Sequence, residues 1–275
     1  MPSLLKITTP VLRSVLTRVD LGYVGGVART LQTETTTLLA AMTVQPNAAR
    51  KNLIDDCVIA LKSAGVWTKL DFLYVHAAHD KQAGFVNWKT PSNVATEIPT
   101  LNFTTDRGFK SNGTSAYINT GLVESALTNF KQNDAHLAVW NLVTPAGSGT
   151  NDTVISELTT PRSIMSLNNV GSFSSRLQTA ATQTASPASL IGHFCISRSL
   201  AASYDRYVNG TFFDTASTAS SAPIAEAIVL LRSTTPVFAN ASQLAVSHGG
   251  AGLTAGEATS MYNALRTYLT GLGVP

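Results

Sequence analysis

The stretch LYVHAAHDKQ, residues 73–82, sets His76, His79 and Asp80 close together inside an apolar run. These side chains can ligate zinc or move protons. A helical zinc motif places its histidines at i and i+4 with a glutamate between them, and His76 and His79 are instead three apart with two alanines between. If the run is a strand, a separation of three sends the two imidazoles to opposite faces. No third ligand is visible nearby. The spacing favours a strand end turning into a short helical piece, with His76, His79 and Asp80 hydrogen-bonding loop backbone.

Other chemistries fare similarly. Sandwich glycosidases of the laminarinase type carry E-x-D-x-x-E on one strand, so that alternate carboxylates face one groove. Glu97, Glu124, Glu157 and Glu226 each lack an acidic partner at i+2 or i+4, and Asp205 and Asp214 flank a turn as edge charges. There is no G-x-S-x-G elbow, so His248 in SHGGAGLT reads as a turn residue. The glycines of GGAG, 249–252, read as a flexible entry to a helix rather than an anion cradle. Trp67, Trp88 and Trp140 could stack on sugars if exposed, but Trp140 alternates with apolar neighbours in HLAVWNL and reads as core. The loop TPAGSGTND, 144–152, is where a sandwich lectin could place ligand contacts, with Asp152 helping to hold a cation. No catalytic, cofactor-binding or metal-ligating residue is assigned, and the chain is not expected to be an enzyme.

The elements that must position these residues follow from pattern. The 275 residues are 44% hydrophobic and only 13% charged, enough to bury a large core beneath a neutral polar surface or partner chains. No window offers the roughly 18 uninterrupted apolar residues of a membrane span. Residues 1–51 hold six basic groups against Asp20 and Glu34, a net +4, but scattered, so no nucleic-acid partner is expected. Cys57 and Cys195 lie in apolar patterns and read as free, buried thiols. Residues 1–45 show no sustained period and read as an extended arm that orders only against another chain.

Asn47 can cap a helix near 48–64, with Leu53, Ile54, Cys57, Val58 and Leu61 on one face and Asp55 and Asp56 pointing elsewhere. From about 66 to 250 the period becomes two, in short runs separated by Gly, Pro, Ser and Asn. In SYDRYVNGTFFDT, Asn209 and Gly210 are the pair that a type I′ hairpin turn favours. A second helix near 255–270 carries a capping box, Thr254 and Glu257, and a stripe of Met261, Tyr262, Leu265, Tyr268 and Leu269. A single sandwich core is expected, with both helices on its flank.

The order AGVWTKLDFLYVHAAHD, FTTDRGFKSNGTSAYINTGL, QNDAHLAVWNL, YDRYVNG and GGAGLTAGEATSMYNALRTYLTGLG resembles tailed-phage and prophage virion proteins with a concanavalin A-like (laminin G or pentraxin-type) jelly roll, over about residues 45–275. The resemblance implies a mainly β, antiparallel sandwich, 46–275, and a structural role in the virion, as a tail, fibre or head-surface component. Residues 1–45 would then anchor it to other virion subunits, with several copies forming a homo-oligomer. The alternative on the same fold is a glycan-binding host-recognition adhesin, and behind it a polysaccharide depolymerase. No cofactor is implied.

Overall fold

The structure, a computed structural model, describes residues 29–112, 115–144, 152–156, 162–167, 171–232 and 242–274. Residues 31–275 form one compact unit. Among the described residues four helices frame it: α1 (Thr33–Ala40), α2 (Ala48–Ser63), the short α3 (Val66–Lys69) and α4 (Ala255–Gly271). The first antiparallel sheet joins β1 (Leu70–Val75), β3 (Asn102–Thr104), β4 (Gly108–Lys110), β6 (Ala135–Asn141), β11 (Gly192–Arg198), β12 (Ser203–Val208), β13 (Thr211–Ser217) and β15 (Gln243–Gly250). The second joins β2 (Thr96–Ile98), β5 (Tyr117–Val123), β7 (Asp152–Ser156), β8 (Arg162–Leu167), β9 (Phe173–Thr179), β10 (Gln183–Ala185) and β14 (Ala227–Leu230). The mainly β, antiparallel sandwich expected from the sequence is what the chain forms.

The order in the first sheet is β13-β12-β11-β6-β15-β4-β3. Strand β15 is long enough to pair with β4 at Gln243 and Leu244 and with β1 over residues 246–250, so β1 and β4 share one side of it. The second sheet runs β10-β9-β8-β7-β14-β5-β2. At the hairpin between β12 and β13, Asn209 (φ 50°) and Gly210 (φ 72°) both take positive φ, as the turn chemistry demands.

The interior has two apolar layers, where the sequence suggested one core. Between the sheets lie Phe72, Phe109, Leu137, Val139, Phe173, Phe194 and Leu244. On the other face of the first sheet, Ala138, Trp140, Cys195 and Val246 meet Leu38, Leu39, Ile54, Val58, Leu61, Met261, Leu265 and Leu269 of the helices. A sheet covered on both faces cannot keep a polar side, and all seven residues of β6 are buried.

The helices form where capping and periodicity place them. Asn47 accepts the Arg50 N–H at the start of α2, and Thr254 and Glu257 complete the capping box of α4. Residues 29–45 correct the extended arm: 33–40 are helical, and Leu38 and Leu39 are buried in the helix-side layer. Alpha1 has too few turns to print a period, and its stability comes from packing on α2. Asp55, expected to point away, is buried and accepts the Gln32 N–H at 2.7 Å, anchoring the entry to α1. Residues 1–28 lie outside the described residues.

Three histidines sit on the helix-covered face of the first sheet. His136 on β6, His193 on β11 and His248 on β15 are each essentially inaccessible, so His248 is a strand residue and not the turn residue expected. Their ring nitrogens link directly: His136 Nε2 to His248 Nδ1 at 3.0 Å, and His248 Nε2 to His193 Nε2 at 2.9 Å. The far end of the chain, His136 Nδ1, meets the Ala251 carbonyl. A carbonyl only accepts, so His136 carries its proton on Nδ1. With neutral rings every later tautomer follows: His248 Nδ1–H donates to His136, His193 Nε2–H donates to His248, and His193 Nδ1 is left as a buried lone pair without a partner. Burial drives all three to the neutral form, His136 down to about 4, His193 to about 3 and His248 well below its usual range, and repulsion from the neighbouring histidines adds to it at His193 and His248.

The glycines of GGAG are not a flexible entry. A Cβ on Gly250 would lie 2.0 Å from the Lys69 carbonyl oxygen, and one on Gly252 2.4 Å from that of Arg198, so these glycines let backbones approach.

Two predictions follow from this architecture. A chain beginning at residue 46 should melt well below one beginning at residue 31, and Leu38→Ala should cost about 2–5 kcal/mol in urea unfolding. An unchanged midpoint in both would return residues 31–45 to an accessory arm. The second concerns acid. His76, His136, His193 and His248 are held neutral in the fold, so the unfolded chain binds more protons below pH 6.5. Stability is fully present above that pH and is lost as pH falls toward about 4, by about 2 kcal/mol per histidine at pH 5. Denaturant midpoints between pH 7 and 5 measure this before the carboxylates titrate, and a flat profile would refute the neutral chain.

Candidate functional site

The opening group is framework. His76, immediately after β1, is fully buried; Nδ1–H donates to the Gly84 carbonyl at 2.8 Å and Nε2 pairs with Ser247 Oγ at 2.9 Å. Burial lowers it to about 4. His79 Nε2–H donates to the Val44 carbonyl at 2.7 Å, and Asp80 Oδ1 accepts the Gln82 N–H at 3.0 Å. Each side chain thus fastens a different piece of loop backbone. Among the described residues no three His, Cys, Asp or Glu are grouped as a metal site.

The carboxylates weighed in the sequence are dispersed too. Glu97 pairs with Lys81 at 2.6 Å and accepts the Leu101 N–H. Glu124 is buried and accepts from Ser163 Oγ. Asp214 is more than an edge charge, because Arg206 clamps it through two bonds of 2.6 Å. Asp205 accepts from Thr215 Oγ1 at 2.7 Å. Glu157, loop residues 145–151 and the side chain of Asp152 lie outside the described residues. The three tryptophans are buried, so none offers a face to a sugar: Trp88 packs edge-on to Tyr268, and Trp140 stacks on Tyr262 at 5.3 Å. Cys57 and Cys195 are free and buried, as their apolar surroundings implied.

The arrangement best suited to a ligand is one that no motif announced. A cleft of about 480 Å³ opens beside β1, walled by Thr68, Asp71, Asn87, Lys89, Leu122 and Asn129, among others. This volume lies within the usual range of small-molecule sites. Its polar rim is built from the way the edge of β1 is closed. The Leu73 N–H has no strand partner on that edge and is accepted by Asn87 Oδ1 at 3.1 Å, while the Trp88 N–H donates to the Leu73 carbonyl at 2.7 Å. The same Oδ1 accepts the Lys89 N–H at 3.0 Å. Asn87 is thus a side-chain substitute for a strand carbonyl.

The opposite wall hangs on Asp71. Its carboxylate accepts the N–H groups of Thr128, Asn129 and Phe130 at 2.8–3.1 Å, and Asn129 Nδ2 returns to the Thr68 and Leu70 carbonyls. Asn93 Nδ2 donates to the Thr120 carbonyl, and Asn93 Oδ1 accepts from the Tyr74 hydroxyl. Lys89 Nζ donates to the Trp67 carbonyl at 2.8 Å and lies 5.5 Å from the Trp67 ring centre. Burial lowers its affinity for the proton, and Asp71 and Glu34 act against that. One buried donor in this wall is left over: Asn87 Nδ2 has no partner. Leu122 and Leu127 supply an apolar wall. The result is a preformed, hydrogen-bonded cleft with a donor to spare.

A second recess, about 340 Å³, runs along the β12–β13 hairpin, where Phe212 is 52% exposed and Phe213 is exposed beside Pro187 and Asn209. It has aromatic surface but no converging buried polar group, and the β1 cleft is the better site. Asp71, Asn87, Asn93 and Asn129 were missed in the sequence because their partners are loop backbone groups. The one available signal was an Asn and Lys cluster, NWKTPSN, next to the end of an apolar strand.

No family model matches the chain, and no curated protein resembles it in sequence. Solved structures do. A Trypanosoma rangeli sialidase in complex with 2,3-difluoro-KDN is similar with a TM-score of 0.55 and 11% identity, over 79% of this chain and 40% of that one. A mutant of the same sialidase displaying trans-sialidase activity gives 0.53 and 11%, over 79% and 39%. This chain therefore spans about two fifths of the length of those sialidases. At such identity the likeness shows the fold alone, a mainly β, antiparallel sandwich. The tailed-phage part of the resemblance has no support from these comparisons. They also overturn the expectation that the chain is not an enzyme, because enzymes share this fold; the missing E-x-D-x-x-E run excludes one carboxylate arrangement and not catalysis as such.

Proposed function

We propose that this protein is a carbohydrate-recognition module built on a β-sandwich. The observation that carries the reading is the cleft beside β1, whose walls are fixed by backbone hydrogen bonds to Asp71, Asn87 and Asn129 while donors remain unspent. Saccharides combine hydroxyl-rich edges with apolar C–H faces. The cleft offers amide, ammonium and hydroxyl groups on its rim and Leu122 and Leu127 on a wall. Rigid walls lower the ordering cost of binding. The solved structures of similar fold, sialidases, make a glycan partner compatible with the architecture.

The setting we favour is display on a tailed-phage particle, as a structural tail, fibre or head-surface component in several copies. Support for it comes from the sequence resemblance alone. With residues 31–45 built into the body, residues 1–30 are the part left to reach other subunits.

A glycan array probed with the full chain tests the binding reading, and Thr128→Trp, which fills the cleft from an exposed rim position, supplies the control. The expected result is a restricted set of bound glycans and at least a tenfold loss in the variant at unchanged melting temperature. Binding that survives Thr128→Trp would move the site elsewhere, and an array with no signal would overturn the reading.

A further inference from the structure

Resting on that carbohydrate reading, we infer that the β1 cleft selects a sugar acid, with the ligand carboxylate placed at Lys89 and Asn87 and its hydroxyls turned toward Asn129. The inference comes from counting which hydrogen-bonding capacity the protein has already used. Asp71 is consumed: its two oxygens take four contacts from the Thr128, Asn129 and Phe130 N–H groups, so its lone pairs face the loop backbone. Asn93 is engaged at both ends of its amide, and Asn129 Nδ2 is shared between two carbonyls.

What remains is mostly donor. The Lys89 ammonium spends one bond, on the Trp67 carbonyl, and has two protons left. Asn87 Nδ2 spends none. Thr90 and Thr128 contribute hydroxyls that can act either way. A neutral saccharide is rich in hydroxyls and brings donors as well as acceptors. A carboxylate brings only acceptors, and charge-assisted bonds to an ammonium and an amide are the stronger kind. Asn87 lines the cleft from behind the rim and is fully buried, so its amide serves such a group through one ordered water.

Electrostatics point the same way. The two carboxylates near Lys89 are committed elsewhere: Asp71 to the loop backbone and Glu34 to Lys62 at 2.8 Å. Glu34 is held below the usual carboxylate range by that lysine. A ligand anion therefore meets a half-buried ammonium whose neighbouring negative charges are already solvated by the protein.

Titration calorimetry on the full-length chain tests this, with glucuronate and galacturonate oligomers against neutral glucose and galactose oligomers of equal length. The acidic ligands should bind at least tenfold more tightly at low salt, and raising ionic strength should erase the difference without weakening the neutral ones. Lys89→Gln keeps a donor for the Trp67 carbonyl and removes the charge, so it should abolish the preference. Asn87→Asp keeps the Oδ1 contacts to the Leu73 and Lys89 N–H groups and replaces the free donor by an anion, so it should weaken acidic ligands further. Equal binding of acidic and neutral oligomers, independent of salt, overturns the sugar-acid inference and leaves the carbohydrate reading standing. If no saccharide of either kind binds, both fall. The salt series uses the unaltered chain and decides the matter even if a variant fails to fold.

Discussion

One constraint organises the fold: the centre of the first sheet, strands β6, β11 and β15, is buried on both faces. Strand β6 has no exposed residue, and β11 and β15 are nearly the same. A strand in that position must present apolar or fully paired groups in both directions. Leu137 and Val139 serve the space between the sheets, and Ala138 and Trp140 serve the space beneath the helices. Where histidines enter the second space they pair with one another, and the result is the chain His136–His248–His193. Three imidazoles fit there because the neutral ring is both donor and acceptor, so a single directional run satisfies almost every nitrogen.

The helical layer is consequently part of the fold rather than an ornament on it. Alpha4 lays Met261, Leu265 and Leu269 over the sheet, and Tyr262 stacks on Trp140. Lys69, just ahead of β1, bonds Glu257 of the capping box at 2.6 Å and the Gly252 carbonyl at 3.0 Å, tying the entry of the sheet to the entry of α4. Alpha1 and α2 close the same layer through Leu38, Ile54 and Leu61. Because β1 shares one side of β15 with β4, its other edge has to be closed by something that is not a strand. Asn87 and Trp88 do this, and the cleft is the space left where they meet the loop held by Asp71.

Much of the fold was legible because it is written in local periods. The two long helices, the Asn209 and Gly210 turn, the free cysteines and the core position of Trp140 all follow from spacing and turn chemistry. Helix α1 was not legible: eight residues are too few to show a period, and its order depends on a tertiary partner, Asp55, twenty-three residues away. The second apolar layer was hidden for a related reason. Alternation in β6 shows that one face is apolar, but whether the other is covered depends on where the helices fold back. The histidine chain required knowledge that β6, β11 and β15 are neighbours, which no sequence spacing encodes.

The cleft was the least legible feature, and the reason bears on what the fold can say about activity. Its polar groups are arranged by backbone contacts across loops: Asp71 gathers residues 128–130, and Asn87 stands in for a missing strand. Such contacts leave no signature pattern, because the side chain is chosen for the local gap it closes. Loops as a class vary more among proteins than the sheets they join. Likeness of sheets to a sialidase at 11% identity therefore fixes where strands run and leaves the chemistry of the rim to this chain's own residues. On that rim most acceptors are spent on the protein's own backbone and the surplus is donor. The balance that holds the loops in place is thus also what sets the kind of ligand the cleft can welcome.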